Sequence, residues 1–146
     1  MKKKIYGGFS LGVLLSIICL VLAGCGGGSG GGDNAVASSV TVVDCSTVTP
    51  AATVTAEGTL KFNPDTVTIP VNNVVRWISA STLAHTVTSG IVTGGTVTTA
   101  TPDGKFNSPL NTNGSSVCLK FTTAGTYNYY CSFHYAMGMT GVVTVQ

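Results

Sequence analysis

The sequence predicts an all-β domain, a sandwich of two sheets built from seven to eight strands, and three observations carry that expectation. Valine and threonine alternate along most of the chain beyond residue 40; Gly, Pro, Asn and Asp interrupt them at short intervals; and no stretch of useful length keeps a helical period. Successive side chains of a strand point to opposite faces, so each alternating run leaves one apolar face that must be buried against another sheet.

The elements follow in chain order. A segment around Cys45 is placed to lie against a later strand. Leu60 and Phe62 share a face, as do Val67, Ile69 and Val71, and residues 74–78 with Trp77 are apolar enough for a central strand. Asn63-Pro64-Asp65 and Asn72-Asn73 supply the turns between them. Residues 86–88, 117–121, 127–130 and 141–145 provide further strands. Residues 91–109 are dense in Gly and Thr, contain Pro102-Asp103-Gly104, and read as a long surface connection folded over its one apolar anchor, Phe106. Trp77 and Tyr130 read as core residues, and Tyr127, in a Gly-Thr-Tyr setting, as a tyrosine corner pinning a strand crossing.

The first two dozen of the 146 residues look like an address. Lys2, Lys3 and Lys4 precede an apolar run over residues 9–22, the charged start and hydrophobic middle of an export signal. Leu22-Ala23-Gly24-Cys25 resembles the lipobox of bacterial lipoproteins, which implies cleavage before Cys25 and a lipid on that cysteine. Residues 1–24 are then a signal peptide, 25–39 a lipidated cysteine and glycine-rich linker, and 40–146 the folded domain. The competing reading is an uncleaved anchor, since residues 5–24 approach the roughly 20 apolar residues of a spanning helix. Both readings tether the domain outside the cytoplasm, in a periplasm or on a cell surface. Gly26-Gly27-Gly28-Ser29-Gly30-Gly31-Gly32 is a flexible leash, with a reach of about 15 to 18 Å for residues 26–34. It is no phosphate loop, because no Lys-Ser or Lys-Thr follows and no strand precedes it.

Without the signal, four basic residues face five acidic ones, leaving a charge of about −1. No basic patch remains to neutralise phosphates, which excludes nucleic-acid binding, and partner docking is expected to depend little on salt. Of five cysteines, Cys19 leaves with the signal and Cys25 carries lipid. Cys45 and Cys118 are the remaining spare thiols and tend to pair in an oxidising compartment; two free thiols are the alternative. Cys118 alternates with Leu119 and Phe121 and so points away from the side those two share.

Cys131-Ser132-Phe133-His134-Tyr135-Ala136-Met137-Gly138-Met139 carries the chemistry, placing a thiolate, an imidazole and two thioethers just before a C-terminal strand. A lone Cys-x-x-His is usually an ordinary pair of loop and core residues. Here the only other histidine, His85, stands where a sandwich presents a loop, and two imidazoles with one thiolate suit copper in a trigonal plane with a weak axial thioether. One copper ion bound by His85, Cys131, His134 and a methionine is the expectation.

On these residues the domain resembles a cupredoxin, most closely the plastocyanin and azurin-type small blue copper proteins. The similarity spans residues 53–146 and rests on Phe62-Asn63-Pro64, Val75-Arg76-Trp77, His85-Thr86-Val87, Phe106-Asn107-Ser108, Gly125-Thr126-Tyr127-Asn128-Tyr129-Tyr130-Cys131 and the closing Met-Thr-Gly-Val-Val-Thr-Val. The resemblance implies a Greek-key β-sandwich and, as ligands, an upstream histidine followed by Cys, His and Met in the last loop. Met137 and Met139 both follow His134; the register of Met139-Thr140-Gly141-Val142-Val143 favours Met139. Phe133 stands where plastocyanins have proline and Thr86 where they have asparagine, so the partners that orient the ligands must differ. The family also implies an apolar patch around the exposed imidazole edge, which puts redox partners near His134, with Phe133 and Tyr135 beside it.

A monomeric, lipid-anchored electron shuttle of the cell envelope is the resulting expectation, with copper storage or delivery as the alternative. Delivery sites expose Met- and His-rich surfaces, and this chain has no histidine to spare. Copper enzymes of similar fold add a second copper on further histidines, and no Ser-His-Asp arrangement is visible, so a non-enzyme is expected.

Overall fold

Strands form where the alternating β-branched runs lie, and ten are present: β1 (Val40–Val43), β2 (Ala52–Glu57), β3 (Phe62–Asn63), β4 (Thr66–Ile69), β5 (Val74–Ala80), β6 (His85–Thr93), β7 (Thr99–Leu110), β8 (Ser116–Phe121), β9 (Gly125–Tyr130) and β10 (Thr140–Val145). They come from a computed structural model that describes residues 38–146; the signal segment 1–24, the lipid site Cys25 and all but the last two residues of the 25–39 linker lie outside the described residues.

The strands form two five-stranded sheets, one in the order β1-β8-β5-β2-β3 and the other β4-β10-β9-β6-β7. The chain therefore crosses repeatedly between layers, and β2–β5 and β4–β10 pair in parallel while the other pairs are antiparallel. As expected, β5 is central in its sheet, and Val74, Val75 and Trp77 on it are buried. Trp77 packs edge-on to Tyr129 at 5.3 Å and lies 6.4 Å from both Phe106 and Phe121, so one indole joins side chains from both sheets. Tyr130 is buried too, and the Tyr127 hydroxyl donates to the Thr123 carbonyl at 2.8 Å, the tyrosine corner expected from its setting.

Besides β2, which the sequence reading did not assign, two stretches differ from it. Residues 91–109 are not a surface connection: β6 and β7 pair from His85↔Leu110 to Thr93↔Thr99 as a long hairpin. The β-branched threonines that gave the stretch its irregular look are strand formers, and Thr93 and Thr99 bridge their hydroxyls at 2.8 Å across the hairpin end. Only the second half of β7 alternates Phe106, Ser108 and Leu110 into the core, so the outer half shows no apolar period. The register shifts between Thr88↔Asn107 and Gly90↔Pro102, where residues 103–106 of β7 bulge out against Ser89 alone, and Gly90 beside it has φ 143° at a position where a Cβ would meet the Thr101 carbonyl oxygen. Leu60 is the second difference. It has φ 60° in the turn closed by Leu60 N–H to Glu57 C=O (3.1 Å) and Glu57 N–H to Lys61 C=O (2.9 Å), so it does not share a strand face with Phe62.

Cys45 and Cys118 are bonded, with Cα atoms 5.3 Å apart. The bridge ties the loop after β1 to β8, to which β1 already pairs at Val43↔Cys118. Leu119 and Phe121 are in the core cluster while Cys118 is buried outside it.

Candidate metal centre

Three elements of the second sheet bring the predicted ligands together. His85 opens β6, Cys131 follows the last residue of β9, and Met139 precedes the first residue of β10. Strands β9 and β10 pair at Thr140↔Tyr130, so the loop between them starts and ends at one place. Its backbone closes on itself. Cys131 N–H donates to the Met139 carbonyl at 3.0 Å, His134 N–H to the Cys131 carbonyl at 3.1 Å, and Met139 N–H to the His134 carbonyl at 3.3 Å. A single 3-10 turn, Tyr135–Met137, fills the middle and ends at Gly138, whose φ of 79° is a left-handed cap that glycine adopts without strain.

The Cys131 Sγ lies 3.4 Å from His134 Nδ1 and 3.8 Å from His85 Nδ1, and the ligand atoms of the three residues lie within 4.8 Å of one another. For metal–nitrogen and metal–sulfur bonds of about 2.0 and 2.3 Å spaced at 120°, sulfur and nitrogen should stand about 3.7 Å apart. The observed separations bracket that value, so the donor set fits a trigonally bound metal. His85 is fully buried, and its imidazole is pulled below its ordinary pKa by burial and then by the neighbouring His134. It is therefore neutral at neutral pH, the state in which its ring nitrogen offers a lone pair. The two methionines separate cleanly: Met139 has 0% exposure and sits in the core cluster, whereas Met137 on the 3-10 turn is 54% exposed.

Sequence reasoning did not find the groups around these ligands. The Thr86 N–H donates to Cys131 Sγ at 3.4 Å. The Thr86 hydroxyl accepts the Ser132 N–H at 2.8 Å, and the hydroxyls of Thr86, Ser132 and Thr88 interlock and end on Asn107 Oδ1. A Thr-x-Thr pair following the ligand histidine was the available signal, since period-2 spacing puts both hydroxyls on one face of β6. Lys61, from the β2–β3 turn, donates to the carbonyl of Gly138 at 3.2 Å and of Met137 at 3.5 Å. His134 is half-buried, and exposed apolar side chains sit on the ligand-bearing loops: Phe133 at 59% and Leu83 at 46%. Tyr135 is partly buried, 6.0 Å from Tyr130 in an edge-on pair.

Comparison with known proteins agrees with this geometry. Residues 49–146 match the family described as copper binding proteins, plastocyanin/azurin family. A plastocyanin of Scenedesmus fuscus is 34% identical over 92 residues, covering 61% of this chain and 90% of that protein. A chloroplastic plastocyanin of Tetradesmus obliquus is 35% identical over 92 residues, covering 61% of each. Among solved structures, a purple cupredoxin from Nitrosopumilus maritimus superposes with a TM-score of 0.54 at 31% identity, covering 65% of this chain and 99% of that one. An oxidised amicyanin mutant shares the fold, with a TM-score of 0.55 at 23% identity over 74% of this chain and 99% of its own. With this fold and this donor set, the chain belongs to the plastocyanin/azurin family of copper-binding proteins.

Proposed function

We propose that His85, Cys131, His134 and Met139 hold one copper ion as a type 1 centre, and that the protein carries single electrons between redox partners in the cell envelope. The convergence of Cys131 Sγ with the two Nδ1 atoms is the observation that supports this most directly. A copper ion held by the Cys131 thiolate, the two imidazoles and the Met139 thioether would supply one-electron redox chemistry between its two common oxidation states. The chain's own part is to keep the donors still. Three backbone hydrogen bonds tie residues 131, 134 and 139 to one another, and His85 is fixed by burial at the start of a strand. Donors that do not move on a change of charge keep the reorganisation small, which suits fast transfer.

His134 is the half-buried ligand, and the exposed Phe133, its ring 6.2 Å from the imidazole, offers apolar contact for a docking partner there. The export-like segment, the lipobox-like Leu22-Ala23-Gly24-Cys25 and the Cys45–Cys118 bridge all favour an oxidising compartment outside the cytoplasm, with the domain held by lipid on Cys25. Members of this family are electron carriers rather than enzymes. The burial of His85, Cys131 and Met139 disfavours storage or delivery, which requires ligands a receiving protein can reach.

Titrating Cu(II) into the purified metal-free chain tests the proposal. A strong red-light absorption band from sulfur-to-metal charge transfer is expected, and Cys131→Ser should abolish it. A pale protein, or a colourless Cu(I) form that hands its metal over readily, would sink the electron-carrier reading.

A further inference from the structure

Four side chains beside the centre form a hydroxyl chain whose direction follows from counting protons. Each hydroxyl has one proton to give, and an amide oxygen only accepts. The Thr88 hydroxyl lies 2.9 Å from Asn107 Oδ1, so its proton goes there, and toward its other neighbours Thr88 Oγ1 is an acceptor. The Ser132 hydroxyl, 2.9 Å from Thr88 Oγ1, therefore donates to Thr88. Thr86 Oγ1 in turn donates to Ser132 Oγ at 3.1 Å and accepts the Ser132 N–H at 2.8 Å. With the Thr86 proton given to Ser132 and the Thr88 proton to Asn107, the 3.0 Å contact between Thr86 Oγ1 and Thr88 Oγ1 has no proton of its own and is a packing contact within the array. A single carbonyl-type oxygen on β7 thus orients three hydroxyls.

The chain joins the two halves of the ligand set. Ser132 adjoins Cys131, Thr86 adjoins His85, and Thr86 also aims its backbone N–H at the Cys131 sulfur at 3.4 Å. Thr88 is buried, Thr86 is half-buried, and Ser132 and Asn107 are exposed, so the array runs from the surface to one buried hydroxyl in its middle. We propose that Thr88 and Asn107, which donate no atom to the metal, are positioning residues: they fix Ser132 against Thr86 and thereby set the Thr86 N–H to Cys131 sulfur hydrogen bond. The inference rests on the copper reading of this site. A donor on the thiolate withdraws electron density from it and favours the reduced ion, so loosening the chain should lower the reduction potential.

The test uses the full-length purified protein, parental and as Thr88→Val, Thr88→Ser, Asn107→Ala and Asn107→Asp. Thr88→Val nearly preserves shape, and Asn107 is exposed, so the Asn107 variants remain informative should the buried valine disturb folding. In metal-free protein, amide exchange at Ser132 and Thr86 should quicken about fivefold in Thr88→Val and Asn107→Ala, the size expected for one lost hydrogen bond of this kind. Thr88→Ser and Asn107→Asp, which keep the hydroxyl and the terminal acceptor, should retain parental exchange. In copper-loaded protein, Thr88→Val and Asn107→Ala should lower the reduction potential and move the red-light band, and Thr88→Ser should restore both. Parental exchange, potential and band in Thr88→Val and Asn107→Ala would overturn the inference. A parental chain that develops no red-light band would instead overturn the copper reading, while the exchange measurements, which need no metal, would still judge the hydroxyl chain.

Discussion

At the scale of single residues, two methionines two positions apart in one loop have opposite fates, and backbone geometry decides between them. The 3-10 turn projects Met137 outward, and Gly138, in its left-handed conformation, turns the chain so that Met139 enters the core at the start of β10. Met139→Leu is expected to keep the fold, since a Leu-for-Met exchange in a core costs less than about 1.5 kcal/mol. It should raise the reduction potential and alter the visible spectrum, because a weak sulfur donor that favours the oxidised ion is lost. Met137→Leu should change neither; the opposite pattern, read by voltammetry and absorption, would assign the axial role to Met137. That His85, Cys131 and His134 meet and that Met139 is the buried methionine was legible in the sequence, because distinctive side chains and strand register carry it. The Thr86 donor to the sulfur was not, because a backbone N–H carries no residue signature and only the fold decides where it points.

Strands and turns show the same division. The central position of β5, the strands at β8 to β10 and the Tyr127 corner followed from alternation and local setting, which the structure reproduces. The β6–β7 hairpin did not, because its outer half lies outside the core and therefore carries no apolar period to read. Close packing between strands was equally hidden at Gly141. A Cβ there would meet Tyr129 Cζ and Oη on the neighbouring β9 and come 2.6 Å from the Asp65 carbonyl oxygen beside β4. Tyr129 has no room to rotate away, packed at 4.9 Å from Phe62 and 5.3 Å from Trp77, and the carbonyl is backbone. Gly141→Ala should therefore destabilise the domain by about 1–3 kcal/mol, seen as a lower urea midpoint, and should disturb the metal site, since Gly141 is two residues from Met139. Parental stability in this variant would mean that β9 and β10 separate more freely than their contacts indicate.

For the whole molecule, the two sheets divide the labour. All four proposed ligands sit in or beside strands of the β4-β10-β9-β6-β7 sheet, whereas the Cys45–Cys118 bridge belongs to the β1-β8-β5-β2-β3 sheet. The bridge spans 73 positions of sequence, and a loop of that length restricts the unfolded chain strongly, by up to about 4 kcal/mol on the chain-entropy estimate. Its effect is on the unfolded ensemble and on the docking of β1, an edge strand of four residues. Replacing both cysteines by alanine should therefore lower the denaturation midpoint substantially, in keeping with a loss of about 2–4 kcal/mol, and should leave the red-light band and the reduction potential of the folded, copper-loaded protein as they were. Measuring stability and spectrum on the same samples separates the two sheets: a shifted band in the bridge-free variant would show that strain on β8 passes through the Trp77 cluster to the ligand loop, and the division of labour would not hold.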